Sequence, residues 1–316
     1  MKSIKLMMAG VLCGLYGSNV FASDLWYHIQ NTRSACSGIS DSMGDMKRMA
    51  GINTVVTGAG TVSAGGALGV GIAKSGVDSE IERLKQLQER QNQYQQQYEK
   101  IILSDDIFRD CPTLVSVIKN MQTGVAQNNL ESAIDTENAK SKTLGNVRTG
   151  TLAGTAVLDT AGTIIATKNK VDDDLQTKID NCVKSVKNLS NEEIRARTEN
   201  TATDAELATA NKIITNCRDW EFIDLSPINK RATGAAVSSG AGAALAVIGA
   251  ITSASANSSS VRHGEENKEK NLNTASNVLA GGATLGSGAA TVFNATQISA
   301  IKKAADMADK CEEGLR

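Results

Sequence analysis

Thiols are the side chains in this chain with the clearest chemistry. There are six cysteines and only two histidines, His28 and His263. Cys36 opens a segment that closes at Cys182, fifteen residues after Ala166-Thr167. Cys217 opens a second that closes at Cys311, again fifteen residues after Ala295-Thr296. The matching places suggest the bridges Cys36–Cys182 and Cys217–Cys311. They leave Cys111, which has no counterpart, as an odd thiol suited to an intermolecular bridge. Local pairing, such as Cys36 with Cys111, is the alternative, because spacing alone does not fix connectivity.

Other chemistry fails on residue type or spacing. Two isolated histidines cannot build a metal site, no Cys-x-x-Cys occurs, and the cysteines are too dispersed for a local thiolate cage. Gly69-Val70-Gly71-Ile72-Ala73-Lys74-Ser75 lacks the Gly-Lys pair of a phosphate loop, and no strand is expected before it. Leu158-Asp159-Thr160-Ala161-Gly162 has no phosphate loop to accompany it. Asp159 is the one acidic residue in its segment. The favoured reading turns it to solvent, and the other gives it an interhelical contact with Arg148 or Lys168. The residues therefore point to no catalytic group, no cofactor, no metal site and no small-molecule substrate, and to a protein that is not an enzyme.

Export is the expected setting for the thiols. Lys2 and Lys5, the apolar stretch from Leu6 to Tyr16 and the small-residue end Val20-Phe21-Ala22 read as a signal peptide over residues 1–22. Cys13 fits a lipoprotein site poorly, with Leu12 where a small residue belongs. Cleavage moves the formal charge from −1 to −3 by removing the two lysines, too mild a balance for a nucleic-acid binder. Beyond the cleavage site the cysteines meet an oxidising compartment, where disulfides persist.

The elements that must position these residues are helical. Four segments, roughly 51–73, 145–167, 232–256 and 272–296, are rich in Gly, Ala, Ser and Thr. Small residues recur every fourth position in them, as at Gly234, Ser238, Gly242, Ala246, Ala250 and Ala254. Such a period keeps one helix face flat, so that a neighbouring backbone approaches closely. The packing glycines expected from this pattern are Gly65, Gly69, Gly150, Gly154, Gly234, Gly242, Gly282 and Gly286. Because glycine costs about 1 kcal/mol in a helix interior, these helices need partners.

Aligning Glu137–Cys182 with Glu266–Cys311 without gaps matches Thr155, Ala161, Ala166 and Thr167 to Thr284, Ala290, Ala295 and Thr296. This suggests an internal repeat, 23–182 and 217–316, joined by connecting helices over 183–216. The first copy carries an insertion at about 75–136. Ser79-Glu80-Ile81-Glu82 there reads as a capping box opening a polar helix, with Leu84, Leu87 and Tyr94 near heptad spacing. Cys111-Pro112 breaks that helix before a return helix. Two further capping boxes, Ser190–Glu193 and Thr203–Glu206, predict short helices at about 191–199 and 204–216. Leu25-Trp26-Tyr27 and the patch Trp220, Phe222, Ile223 and Leu225 are the expected large core anchors.

The expected fold is all-α: an elongated helical bundle of two related antiparallel hairpins with Gly/Ala-rich packing faces, plus an inserted polar helical hairpin. Its expected role is an exported envelope component, structural or interacting with a protein partner or with itself. The alternative is a membrane-inserting, pore-forming or channel-like protein assembled through the small-residue helices. The segments without charge from Ala232 to Val261 and from Asn271 to Ile301 are long enough to cross a bilayer of about 30 Å, but their Ser, Thr and Asn content makes the balance marginal.

Overall fold

The computed structural model describes residues 24–104, 112–258 and 266–316. It is 94% helical, with no strands among the described residues, as the all-α reading expects. The helices are α1 Asp24–Cys36, α2 Ile39–Ser104, α3 Pro112–Lys168, α4 Asp173–Glu199, α5 Asp204–Cys217, α6 Ser226–Ala256 and α7 Glu266–Leu315. A short 3-10 turn, Arg218–Phe222, joins α5 to the approach of α6. The expected signal peptide, Cys13, Cys111 and His263 lie outside the described residues.

Packing divides the chain into two units, and each of the segments expected as repeats, 23–182 and 217–316, contributes to both. The described part of the first unit comprises residues 24–53, 165–234 and 293–316; the second comprises 54–164 and 235–292 within the described residues.

The first unit has a conventional apolar core. Leu25, Ile29, Met43, Ile179, Leu189, Ile213, Trp220, Ile228 and Ile301 are buried together, with both disulfides among them. Of the expected aromatic anchors only Trp220 is buried; Phe222 and Tyr27 are 74% and 66% exposed. Helix α5 starts as its capping box predicts: the Glu206 N–H donates to Thr203 Oγ1, and Glu206 Oε2 accepts from the Thr203 N–H. The other two boxes open no helix. Ser190 lies inside α4, which is already under way from Asp173, and Ser79 Oγ donates back to the Ser75 carbonyl within α2. A helix already propagating satisfies these N–H groups through its own backbone, so a serine there has nothing to cap.

The second unit is a ring of four helix segments. Buried positions in each advance by alternating steps of three and four. On α2 they are Thr57, Gly60, Ala64, Ala67, Gly71 and Lys74; on α3, Gly145, Arg148, Leu152, Thr155, Asp159 and Gly162. On α6 they are Ala235, Ser239, Gly242, Ala246, Gly249 and Ser253, and on α7 Ser276, Ala280, Ala283, Ser287 and Ala290. That average of 3.5 is the repeat of a left-handed helical bundle, and it replaces the four-residue stripe read from the sequence.

The gapless repeat alignment is also out of phase with this seam. Ala166 is buried while its match Ala295 is exposed, and Thr155 is buried while Thr284 is half-buried. The buried positions of α3 and α7 correspond instead one residue away, Asp159 with Ser287 and Leu152 with Ala280.

Candidate functional site

The seam of the second unit is built from small and polar side chains, and three of them are charged. Asp159, Arg148 and Lys74 are each at most 1% exposed. Asp159 corrects the solvent-facing reading: it lies where α2, α3, α6 and α7 meet. Ser287 Oγ donates to its Oδ2 at 2.6 Å, and Ser239 Oγ donates to its backbone carbonyl at 2.6 Å. Two glycines make room for the carboxylate. A Cβ on Gly60 would stand 2.6 Å from Oδ1, and one on Gly242 would stand 2.5 Å from Oδ2. Neither Arg148 nor Lys168, the expected partners, bonds to it.

At one end of the seam Arg148 and Asn277 pack over Gly71, where any Cβ would strike both. Near them Lys74 Nζ donates to Asp78 Oδ2 at 2.6 Å and Glu269 Oε1 at 3.1 Å. Ser141 Oγ donates to Asp78 Oδ1 at 2.5 Å, and Asn273 Nδ2 to Asp78 Oδ2 at 3.2 Å. Toward the other end the seam is hydroxyl-lined: Thr291 Oγ1 donates to Thr57 Oγ1 at 3.2 Å and stands 3.3 Å from Thr61 Oγ1.

The outside of the same unit is the reverse. On α2 from Val55 to Ala73 the exposed residues are Val55, Ala59, Val62, Gly66, Gly69, Ile72 and Ala73. On α6 from Val237 to Ala254 they are Val237, Ala241, Ala244, Val247, Ile248, Ile251 and Ala254. From Ala275 to Val292 α7 exposes Ala275, Val278, Leu285, Ala289 and Val292. Only α3 admits a hydroxyl, Thr160, among Val147, Gly150, Ala153, Val157 and Ile164. Val62, Val157, Val278 and Leu285 are 70–76% exposed. The four stretches share their levels. Thr149 Oγ1 donates to Ser253 Oγ at one end, and Gly240 lies against Thr163 near the other.

The expected packing glycines divide. Gly242 and Gly286 mark a backbone crossing, where a Cβ on Gly286 would stand 2.8 Å from the Gly242 nitrogen. Gly282 meets Leu245 and Gly234 meets Phe293, at 2.9 and 3.0 Å for the added Cβ. Gly154 has only an ordinary contact at 3.8 Å, and Gly65, Gly69 and Gly150 have nothing within 4 Å. These last three do not serve close packing inside the unit. Gly60, Gly71, Gly145 and Gly249 do, and the 3.5 period is the signal that finds them.

In the first unit, Cys36–Cys182 joins α1 to α4 and Cys217–Cys311 joins α5 to α7. The sulfurs of Cys36, Cys182 and Cys311 lie within 4.8 Å of one another, but disulfide sulfurs offer no thiolate to a metal. Two buried disulfides point to an oxidising, exported environment.

Comparison with protein-family profiles, curated proteins and solved structures finds no match, so the geometry alone supports a functional reading.

Proposed function

We propose that the second unit is embedded in a lipid bilayer, and that the protein is an exported, non-enzymatic structural or interaction component of the cell envelope held in the membrane by that unit. The observation that supports this is the inverted polarity of its four helices. Between Val55 and Ala73, Val237 and Ala254, and Ala275 and Val292, no exposed residue is polar. The corresponding stretch of α3 has one hydroxyl. Water gains nothing from such a surface, whereas each exposed Val, Ile or Leu moved out of water contributes about 1.5–3 kcal/mol.

Each stretch is about 18 residues, or roughly 27 Å of helix, close to the hydrocarbon thickness of a bilayer. Among the described residues, two helical stretches, within Asp24–Gln97 and Ser226–Ala256, are long and apolar enough on average to cross a membrane. The average penalises α3 and α7 for Asp159, Asn277, Ser276 and Ser287, which face the seam. In lipid, buried polar groups and small residues are what hold helices together.

The crossing at Gly242 and Gly286 brings backbone against backbone and supports a packed bundle over a lumen. Two measurements test the reading. Sodium carbonate extraction should leave the oxidised protein in the membrane pellet, and release to the supernatant would end the membrane assignment. Vesicles loaded with dye should stay sealed after reconstitution. Leakage would restore the pore-forming alternative.

A further inference from the structure

The first unit carries a cleft of about 400 Å³ between the approach to α6 and residues 299–307 of α7. Ile223, Leu225 and Ile228 line one side, and Ala300, Ala304 and Met307 the other. Phe222, which the core leaves exposed, also lines it. Three charged side chains complete the lining, Arg231, Lys303 and Asp224. Asp224 is engaged, since its Oδ1 accepts the Ser226 N–H at 2.9 Å. Arg231 is held by one donor, Nη1 to the Thr296 carbonyl at 2.6 Å, which leaves Nε and Nη2 without an acceptor among the described residues. Lys303 is exposed and has no hydrogen bond or ion pair among the described residues. Two cations against one carboxylate leave the lining at formal charge +1. The neighbouring charges do not cancel it. Lys230 and Lys302 outnumber Asp306, while Glu221 and Asp219 are paired with Lys187 and Lys310.

We propose that this cleft binds a fatty acid, one alkyl chain ending in a carboxylate. It lies wholly in the first unit, so the assignment does not rest on the bilayer reading of the second. Nε and Nη2 form one edge of the Arg231 guanidinium, and such an edge matches the two oxygens of a carboxylate. Lys303 follows Thr296 by two helical turns, about 10 Å along α7. Helical side chains lean toward the N-terminus, so its ammonium reaches back toward Arg231. One carboxylate brings the single negative charge that balances the lining. The alkyl chain then lies along Phe222, Ile223, Ala300 and Met307, apolar side chains that the fold does not fully bury. The volume falls among small-ligand sites of about 300–1,000 Å³, at the end that suits one chain and not the two of a glycerolipid. An alkylammonium would meet Arg231 and Lys303 as like charges.

The test is photolabelling with a fatty-acid probe. The full-length oxidised chain is reconstituted in phosphatidylcholine vesicles and irradiated with dodecanoate carrying a terminal diazirine, and adducts are mapped by peptide mass spectrometry. Adducts should fall on residues 222–228 and 300–307, and unlabelled dodecanoate should displace them. Lys303→Glu, at an exposed side chain, should reduce them at least about tenfold, the effect of one charge-assisted hydrogen bond. Arg231→Lys keeps the charge, loses the fork and should reduce them too. Adducts at Val62 of the second unit, from probe dissolved in the bilayer, should be unchanged in both variants. Absence of adducts from the cleft, yields unchanged in both variants, or equal labelling by a dodecyltrimethylammonium probe overturns the proposal. Displacement by an acidic apolar peptide at lower concentration than dodecanoate also overturns it, and makes the cleft a protein-docking surface. Labelling of the cleft without labelling at Val62 would count against the bilayer reading alone.

Discussion

A Cβ on Gly286 would stand 2.8 Å from the Gly242 nitrogen and 2.9 Å from the Ser238 carbonyl oxygen, and backbone cannot move aside cheaply. Gly286→Ala should therefore lower stability by about 1–3 kcal/mol through overpacking. Gly65 has nothing within 4 Å of its added Cβ and sits inside α2. Gly65→Ala should raise stability by about 0.4–1 kcal/mol, because it narrows the unfolded ensemble without strain. Thermal unfolding of both variants in mild detergent, followed by circular dichroism, checks the pair; a loss at both positions would contradict the assignment of the seam. Ser287→Ala removes the hydroxyl that donates to Asp159 Oδ2 and should cost about 1–3 kcal/mol by the same measurement. The two glycines look alike in the sequence because composition reports that small residues are needed but not which way each faces. The buried position of Asp159 was hidden for the same reason: a lone carboxylate among small residues reads as solvated until Gly60 and Gly242 are seen to shape a place for it.

Helix identity was legible, and helix boundaries were legible only where a cap is used. Thr203 and Glu206 cap each other and α5 begins there, so Thr203→Ala should cost about 1 kcal/mol. Ser79 and Ser190 carry the same pattern inside longer helices, where the helix already propagating through them leaves nothing to cap. Asp224 is a cap that no box announced: its Oδ1 accepts the Ser226 N–H at 2.9 Å, and that backbone hydrogen bond holds its carboxyl below the ordinary carboxylate range. A lowered folded value means that the contribution of Asp224 is complete above the unfolded value of about 4 and is lost as pH falls through the folded value. Asp224→Asn should flatten that part of the acid unfolding curve, and an unchanged curve would contradict the cap. The disulfides tie α1 to α4 and α5 to α7 across sequence separations of 146 and 94 residues. In the chain-entropy account each contributes about 5 kcal/mol, so Cys36→Ser with Cys182→Ser should sharply lower the unfolding midpoint measured by denaturant titration.

For the molecule as a whole, the sequence supplied the helices and the small-residue segments, and left the choice between a water-facing and a lipid-facing bundle undecided. Average apolarity could not decide it. Asn277, Ser276, Ser287 and Asp159 count against a membrane in any average, yet all of them belong to the seam or its end. What favours the proposed lipid-facing bundle is direction: the seam advances by 3.5 residues, and the positions left outside it hold Val62, Val157, Val247 and Leu285. The most direct measurement of this account is photolabelling of the reconstituted native chain with a lipid carrying a diazirine in its acyl chain, mapped by peptide mass spectrometry. Adducts should fall on all four stretches, at Val62, Val157, Val247 and Leu285 among others, and should spare Asp159 and Ser287. Labelling absent from these stretches, or confined to one helix, would contradict a four-helix unit facing lipid.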